Sequence, residues 1–318
     1  MKKNLLCLFL IAIALVSCNK DDNTTTTKPE EAKYKTENVV LLVIDGPRMT
    51  ETWNGKNQEN IPNRVALLKE GVFISNFQNN GLTNTNAGHT ALITGVYDSI
   101  QNNGKELPSN PSVLQHWLQQ SKKDSNKAWV IASKDKLEVL NNTKHPDWTG
   151  KYMPKADAGT SGNPSSYRDD AVTIANFKKV ITTDQPNVVV INLKDVDSYG
   201  HANKKDEYIK AIKTTDQSIK EIWDFLQSQP NYKGKTTLMV SNDHGRHSDG
   251  IKDGFVNHGD ACVGCRHIEF FAMGPDFKKD AVIATGNYEQ IDVANTMAEL
   301  LGVKLQYSKG KVIKAIFK

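Results

Sequence analysis

Cysteine is scarce in this chain: its 318 residues hold four, Cys7, Cys18, Cys262 and Cys265. The one Cys-x-x-Cys, Cys262-Val263-Gly264-Cys265, has no second pair to complete a four-cysteine zinc site, and it does not open a helix after a first strand as a thioredoxin-like redox motif does. No internal repeat is visible. No dense basic stripe or aromatic platform occurs, and the net charge of +4 includes Lys2 and Lys3 of a removable leader. A nucleic-acid partner is therefore not expected. The longest apolar run, near the amino terminus, is too short for a spanning helix with polar flanks.

That run reads as a targeting segment. Lys2-Lys3 precede the apolar residues 5–14, and Leu15-Val16-Ser17-Cys18 resembles a bacterial lipobox. Residues 1–17 are expected to be a lipoprotein signal peptide, with Cys18 lipidated after cleavage. The anchor would sit in the outer membrane, on its periplasmic or cell-surface side. Residues 18–36 are polar and repetitive, cannot bury a core, and are expected to be a flexible tether. With Cys7 removed and Cys18 lipidated, Cys262 and Cys265 remain. In an oxidising compartment they are expected to form a local disulfide.

What the chain does contain is a set of metal-seeking side chains at the ends of short apolar runs. Asp45 closes Val39-Val40-Leu41-Leu42-Val43-Ile44, Asp197 and His201 follow Val188-Val189-Val190-Ile191-Asn192-Leu193, and Asp243-His244 close Leu238-Met239-Val240-Ser241-Asn242. Such runs predict strands buried on both faces, and in open parallel sheets ligands bind beyond the strands' carboxyl ends. With His258, these carboxylates and imidazoles suit zinc or a similar divalent ion. Between the second and third runs, Tyr208, Ile209, Ile212, Ile219, Ile222, Trp223 and Leu226 recur at helical spacing, as one core-facing helix stripe. Residues 37–318 are thus expected to form one α/β domain, with residues 104–165 a possible cap or loop insertion.

A polar turn, Gly81-Leu82-Thr83-Asn84-Thr85, leads into a helical pattern starting near Asn86. A hydroxyl at that helix N-terminus would face an anion-binding position. Threonine is a poor nucleophile at its free pKa, so a neighbouring metal would be needed to activate it.

These residues carry a family resemblance. Asp45-Gly46, Thr85-x-x-x-His89-x-x-x-x-Thr94-Gly95, Asp197-x-x-Gly200-His201, Ser241-Asn242-Asp243-His244-Gly245, Asn257-His258-Gly259 and the closing Gln290 to Gly302 segment resemble the alkaline phosphatase superfamily, in its phosphatase and nucleotide pyrophosphatase/phosphodiesterase branch. The resemblance implies a three-layer α/β/α sandwich around a mostly parallel sheet. It implies two divalent ions, zinc foremost with manganese or magnesium as alternatives. Asp197, His201 and His258 would hold one, and Asp45, Asp243, His244 and the Thr85 oxygen the other. Thr85 would attack phosphorus and leave a phosphothreonine that water hydrolyses. The family spacing of nucleophile to histidine favours Thr85 over Thr83. The Cys/Ser-x-Pro-x-Arg motif of the sulfatases does not occur.

Substrate contacts follow from the same resemblance. Of Asn102-Asn103, Asn103 is the expected phosphoryl donor and Asn102 the alternative. Lys134 and Lys136, after the strand-like Ala128-Trp129-Val130-Ile131-Ala132, resemble the Lys-x-Arg pair of a phosphomonoesterase branch. A monoester dianion gains more from such cations than a diester does, although lysine cannot make arginine's bidentate contact. The expected partner is a small-molecule phosphate ester, with hydrolysis of monoesters favoured. A phosphodiesterase or nucleotide pyrophosphatase on the same site is the alternative, and a non-catalytic surface-binding lipoprotein the second alternative. Arg48 is expected to be solvated, and His145, His247 and His267 to be surface or capping residues.

Overall fold

Seven consecutive residues of the run that ends at Asp45 are buried, and they form β1 (Asn38–Ile44) at the middle of an eight-stranded sheet. The remaining strands are β2 (Gly71–Ile74), β3 (Ala128–Ala132), β4 (Lys155–Ala158), β5 (Val188–Leu193), β6 (Thr236–Asn242), β7 (Phe270–Met273) and β8 (Ala281–Ile283). Their spatial order is β4-β3-β5-β1-β6-β7-β2-β8. The computed structural model describes residues 33–160 and 166–318. All pairings are parallel except those of β7, which runs antiparallel to both β6 and β2.

Alternation along β1 explains the three layers. Val39, Leu41 and Val43 belong to one apolar cluster, with Leu92 and Ile93 of α2 (Thr85–Thr94), Leu114 and Trp117 of α3 (Val113–Ser121) and Met297 of α8 (Asp292–Leu300). Val40, Leu42 and Ile44 point the other way. There they meet Leu67 of α1 (Pro62–Leu67), Phe177 of α4 (Asp170–Thr183) and Tyr208, Ile212, Ile219, Ile222 and Leu226 of α6 (Lys205–Ser228). A strand's period of two therefore fills both cores, and both must be covered by helices. The helical stripe expected between Asp197 and Asp243 is α6, and only Ile209 of it is partly exposed.

Two expected boundaries change. Residues 104–165 are not a cap, because their described part supplies α3, β3 and the edge strand β4 to the central layers. The Asn-, Lys- and Gly-rich composition of this stretch belongs to the loops between those elements. The compact unit begins at Tyr34 rather than at residue 37. Tyr34 donates to Glu299 at 2.7 Å, and Thr36 donates through its backbone N–H to Asp276 at 2.8 Å. The signal segment, Cys18 and the rest of the tether before residue 33 lie outside the described residues. Among the described residues, no helix is long and apolar enough to cross a membrane.

Candidate metal centre and active site

Parallel pairing puts the ends of three strands side by side. Ile44 is in register with Leu193 of β5 and with Asn242 of β6, so Asp45 and Asp243 both leave the sheet at one edge. After β5 the chain turns at once into α5 (Asp195–His201), which carries Asp197 and His201 four residues apart on one face. His201 Nε2 lies 3.2 Å from Asp197 Oδ1 and 3.0 Å from His258 Nε2. His258 Nε2 is 3.5 Å from the same Asp197 oxygen, and its ring stacks on His244 with centroids 3.6 Å apart. His244 Nε2 is 3.3 Å from Asp243 Oδ2 and 3.5 Å from Asp45 Oδ1. All six aspartate and histidine ligands expected from the sequence thus meet in one cluster.

Close backbone approach is required to build it. Gly46 has φ +64°, and a Cβ there would lie 2.8 Å from Arg246 Nη1 and 3.0 Å from Asp197 Oδ1. At Gly88 of α2, a Cβ would lie 2.3 Å from the Asp243 carbonyl oxygen. Helix α2 can therefore press its first turn against the end of β6 only because residue 88 has no side chain.

The donor set fits divalent metal. Asp45 Oδ1, Asp243 Oδ2 and His244 Nε2 are buried and have no hydrogen-bond partner. Orphaned polar atoms of this kind are costly unless something pairs with them. One donor atom from each of Asp45, Asp243 and His244 falls within 4.8 Å of the others, and the same holds for Asp197, His244 and His258. The second atoms are engaged: Asp243 Oδ1 accepts from the N–H groups of Gly46 and His244, at 3.2 and 2.9 Å. His244 Nδ1 lies 2.9 Å from the Gly245 carbonyl oxygen and His258 Nδ1 2.7 Å from that of Thr83, which leaves each Nε2 facing the cluster.

Lys134 stands in the middle of these charges. Its Nζ lies 2.6 Å from Asp197 Oδ2, 2.9 Å from Asp45 Oδ2 and 3.2 Å from Thr85 Oγ1. Burial alone would lower its pKa, but Asp197, then Asp45 and Asp243, raise it, so the ammonium keeps its proton. Burial would raise Asp45 and Asp197 in turn, but Lys134 and His244, joined at Asp197 by His201 and Arg246, together outweigh it and hold both below the usual carboxylate range. Burial, then the charge of His244, pushes His258 down to about 2, so it presents a neutral imidazole.

Thr85 is the first residue of α2 and almost wholly buried. Thr83 is not in the cluster, since its hydroxyl donates to the Asp260 carbonyl oxygen at 2.8 Å. His89 secures the turn, with Nδ1 2.8 Å from the Thr85 carbonyl oxygen. Asn102 Oδ1 accepts from the Asn86 N–H at 3.0 Å and from Lys136 Nζ at 3.0 Å, which brings Asn102 and Lys136 to the α2 N-terminus. The expected donor Asn103 is not there. Its Oδ1 accepts from the Lys105 N–H at 2.9 Å and its Nδ2 donates to Gln101, so it closes its own exposed turn. Of the adjacent pair, Asn102 is the residue at the site.

Four further differences are physical. The expected Cys262–Cys265 disulfide is not formed: both thiols are free. Cys262 instead caps α7 (Val263–Arg266), its sulfur accepting the Cys265 N–H at 3.2 Å. Arg48 is buried rather than solvated, paired with Glu51 and with Asp249 at 2.7 Å. Arg246 went unrecognised in the sequence, yet it is fully buried, pairs with Asp197 Oδ1 and donates to the carbonyls of Phe255 and Val256. Its position directly after Asp243-His244-Gly245 was the available signal. Tyr167, half-exposed with its ring 5.8 Å from Lys134 Nζ, had no sequence signal. A cleft of about 700 Å³ between α4 and α6, lined by Asp170, Ile174, Ala211 and Thr215 among others, is separate from the cluster.

With this geometry in place, comparison with known proteins identifies the family. The model of the metalloenzyme superfamily matches residues 37–305. The chain belongs to the metalloenzyme superfamily. GPI ethanolamine phosphate transferase 1 of Homo sapiens is 24% identical over 225 residues, covering 65% of this chain and 24% of that protein. The chain thus spans about a quarter of the length of that curated relative. The alkaline phosphatase PafA superposes with a TM-score of 0.69 at 12% identity, covering 89% of this chain and 99% of the other. Murine ectonucleotide pyrophosphatase/phosphodiesterase 5, as an inactive variant in complex with AMP, gives 0.63 at 15% identity, covering 89% and 100%. This superfamily member therefore has an alkaline phosphatase-like fold, with the candidate metal-binding side chains gathered at the carboxyl ends of its central strands.

Proposed function

We propose that the protein hydrolyses phosphate monoesters, with Thr85 as nucleophile and two divalent ions, zinc foremost, as cofactors. Asp45, Asp243, His244 and the Thr85 oxygen would hold one ion, and Asp197, His201 and His258 the other. When bound, such ions supply Lewis-acid neutralisation of charge and lower the pKa of a hydroxyl or a water. The observation that carries the reading is Lys134 Nζ, 3.2 Å from Thr85 Oγ1 inside a carboxylate cluster.

The chain's own groups divide the work. Lys134 keeps its proton, so it acts as a fixed positive charge that stabilises the developing Thr85 alkoxide and the phosphoryl oxygens. Lys136 adds a second cation at the α2 N-terminus, where backbone N–H groups also favour an anion. Asn102 has its oxygen engaged by Asn86 and Lys136, so its remaining polar group is a donor, Nδ2, suited to a phosphoryl oxygen. The bond from Thr85 oxygen to phosphorus forms as the bond to the leaving oxygen breaks. Water then attacks phosphorus, restores the threonine hydroxyl and releases phosphate.

Two cations beside one nucleophile favour a dianion over a diester monoanion. Burial, then the like charge of Lys134, pushes Lys136 down to about 8. Its positive charge is present below that pH and is lost as pH rises through it. Activity on p-nitrophenyl phosphate is expected to exceed that on the bis ester, and its kcat/KM to fall as pH rises through about 8. In Lys136→Arg that limb should leave the measurable range, because a guanidinium stays charged. Lys136→Ala should lower the monoester kcat/KM by about 10²-fold and the diester value less. A wild type that turned over the bis ester faster than the monoester would overturn the monoesterase reading.

A phosphodiesterase is the second reading. It is favoured by the fold similarity to the murine pyrophosphatase/phosphodiesterase solved with AMP and by the half-exposed Tyr167 ring beside Lys134. The complete set of ligands around Thr85 supports catalysis over a purely binding role. Export with a lipid anchor on Cys18 belongs to the same proposal, and rests on the lipobox-like Leu15-Val16-Ser17-Cys18.

A further inference from the structure

The loop after β6 contains a second gathering of metal-binding side chains, outside the cluster around Thr85. It comprises His247, Asp260, Cys262 and Cys265, and one donor atom from each lies within 4.8 Å of all the others. We propose that these four residues form a further, structural zinc site, which holds in place the loop that delivers His258.

The decisive group is His247. It is 3% exposed, and its Nε2 makes no hydrogen bond. That atom faces Asp260 Oδ2 at 3.3 Å. The other ring nitrogen, Nδ1, lies 2.6 Å from Asp253 Oδ1. A carboxylate acceptor there fixes the proton on Nδ1 and leaves the Nε2 lone pair directed into the cluster, the carboxylate–histidine–metal arrangement in which an outer acceptor orients a ligating imidazole. In a neutral ring this buried nitrogen is an acceptor that makes no hydrogen bond and faces a carboxylate oxygen, an arrangement that a cation would satisfy.

The remaining donors suit a soft divalent ion. Cys262 and Cys265 have the Cys-x-x-Cys spacing that clamps zinc from one turn, and both thiols are free. Asp260 is steadied by the Cys262 N–H, which donates to its Oδ1 at 2.9 Å. Two thiolates, a carboxylate and a neutral imidazole carry three negative charges. A divalent ion neutralises two of them, and Lys252, paired with Asp260 Oδ2, offsets the third. Thiolate and imidazole ligands select zinc over magnesium or calcium. Binding releases the two thiol protons to solvent and changes no oxidation state. The sequence offered only a lone Cys-x-x-Cys; folding supplies His247 from fifteen residues before Cys262 and Asp260 from two before it.

The site's position gives it a role. The His247 N–H donates to the Asn257 carbonyl oxygen at 3.0 Å, directly before His258. The Asp260 carbonyl oxygen accepts from Thr83, whose own carbonyl oxygen lies 2.7 Å from His258 Nδ1. An ion joining His247 to the cysteines therefore closes the loop around His258.

Cobalt(II) substitution of the full chain, purified in reductant, tests the proposal. A near-ultraviolet thiolate-to-cobalt charge-transfer band is expected in the wild type. It should be lost in Cys262→Ser and Cys265→Ser, with one equivalent less zinc by elemental analysis, and retained in Asp243→Ala. The wild-type band needs no variant to fold, and it reports thiolate ligation whether or not the protein hydrolyses phosphate esters. Absence of the band in the wild type, a band unaffected by both cysteine substitutions, or a Cys262–Cys265 disulfide in protein isolated without reductant would each overturn the proposal.

Discussion

Thr85→Ala is expected to lower phosphomonoester turnover by on the order of 10⁴-fold or more, as removal of a nucleophile does in other covalent hydrolases. The size of the effect follows from position. Thr85 Oγ1 faces Lys134 Nζ at the first residue of α2, while the alternative hydroxyl, that of Thr83, is bonded to the Asp260 carbonyl oxygen. Alanine is the better helix former, and the substitution leaves Asp45, Asp243 and His244 untouched, so folding and metal content should persist. Steady-state turnover of p-nitrophenyl phosphate, with zinc content measured on the same preparation, checks both halves. Near wild-type turnover in the alanine variant would transfer the nucleophile's role elsewhere.

Asp243→Ala should have the next largest effect, and by a different route. Asp243 Oδ2 is one of the orphaned buried atoms, and its partner oxygen holds the N–H groups of Gly46 and His244. Losing the carboxylate removes a ligand and frees the residue beside it, so the variant is expected to lose one metal equivalent and about 10³-fold in turnover. Thermal melting gives a second reading. A ligand that binds only the folded protein adds about 2.7 kcal/mol when it is present at 100 times its dissociation constant. The rise in Tm on adding zinc to chelator-treated wild type should therefore shrink markedly in Asp243→Ala. An unchanged metal content together with an unchanged zinc-induced rise would remove Asp243 from the ligand set.

Much of this site was legible in the sequence for a geometric reason. Asp45 and Asp243-His244 close apolar runs whose burial on both faces makes them central strands, and parallel neighbours in register necessarily end together. The Asp197 to His201 interval is one helical turn, so those two ligands share a face wherever the helix lies. What was not legible depends on side-chain direction after a turn. Asn102 and Asn103 are adjacent, and only the folded turn sends the first to Asn86 and Lys136 while the second caps Lys105. Arg48 and Arg246 are strongly polar residues that sequence patterns place outside the protein. Both are buried because carboxylates and carbonyls wait for them: Glu51 and Asp249 for Arg48, Asp197 and Val256 for Arg246. The role of residues 104–160 was hidden by loops. The strand-like run Ala128 to Ala132 is β3, but the polar surroundings mask the short β4, which is recognisable only once it pairs, Ala158 beside Ala132.

The same logic accounts for the cysteines. The proposed export would favour a disulfide between two nearby thiols, but the fold sets one as the cap of α7, accepting the N–H of the other. It also turns a buried histidine toward them. A pair that looks sufficient in the sequence is half of a four-residue group in the structure.

The most direct test of the central claim is a crystal structure of the wild type grown with zinc and inorganic phosphate, with anomalous scattering recorded across the zinc edge. The account predicts two zinc peaks at the sheet edge, one bounded by Asp45, Asp243, His244 and Thr85 and the other by Asp197, His201 and His258, with phosphate in contact with Lys134. A sheet edge without zinc peaks, with phosphate bound away from Thr85, would contradict it.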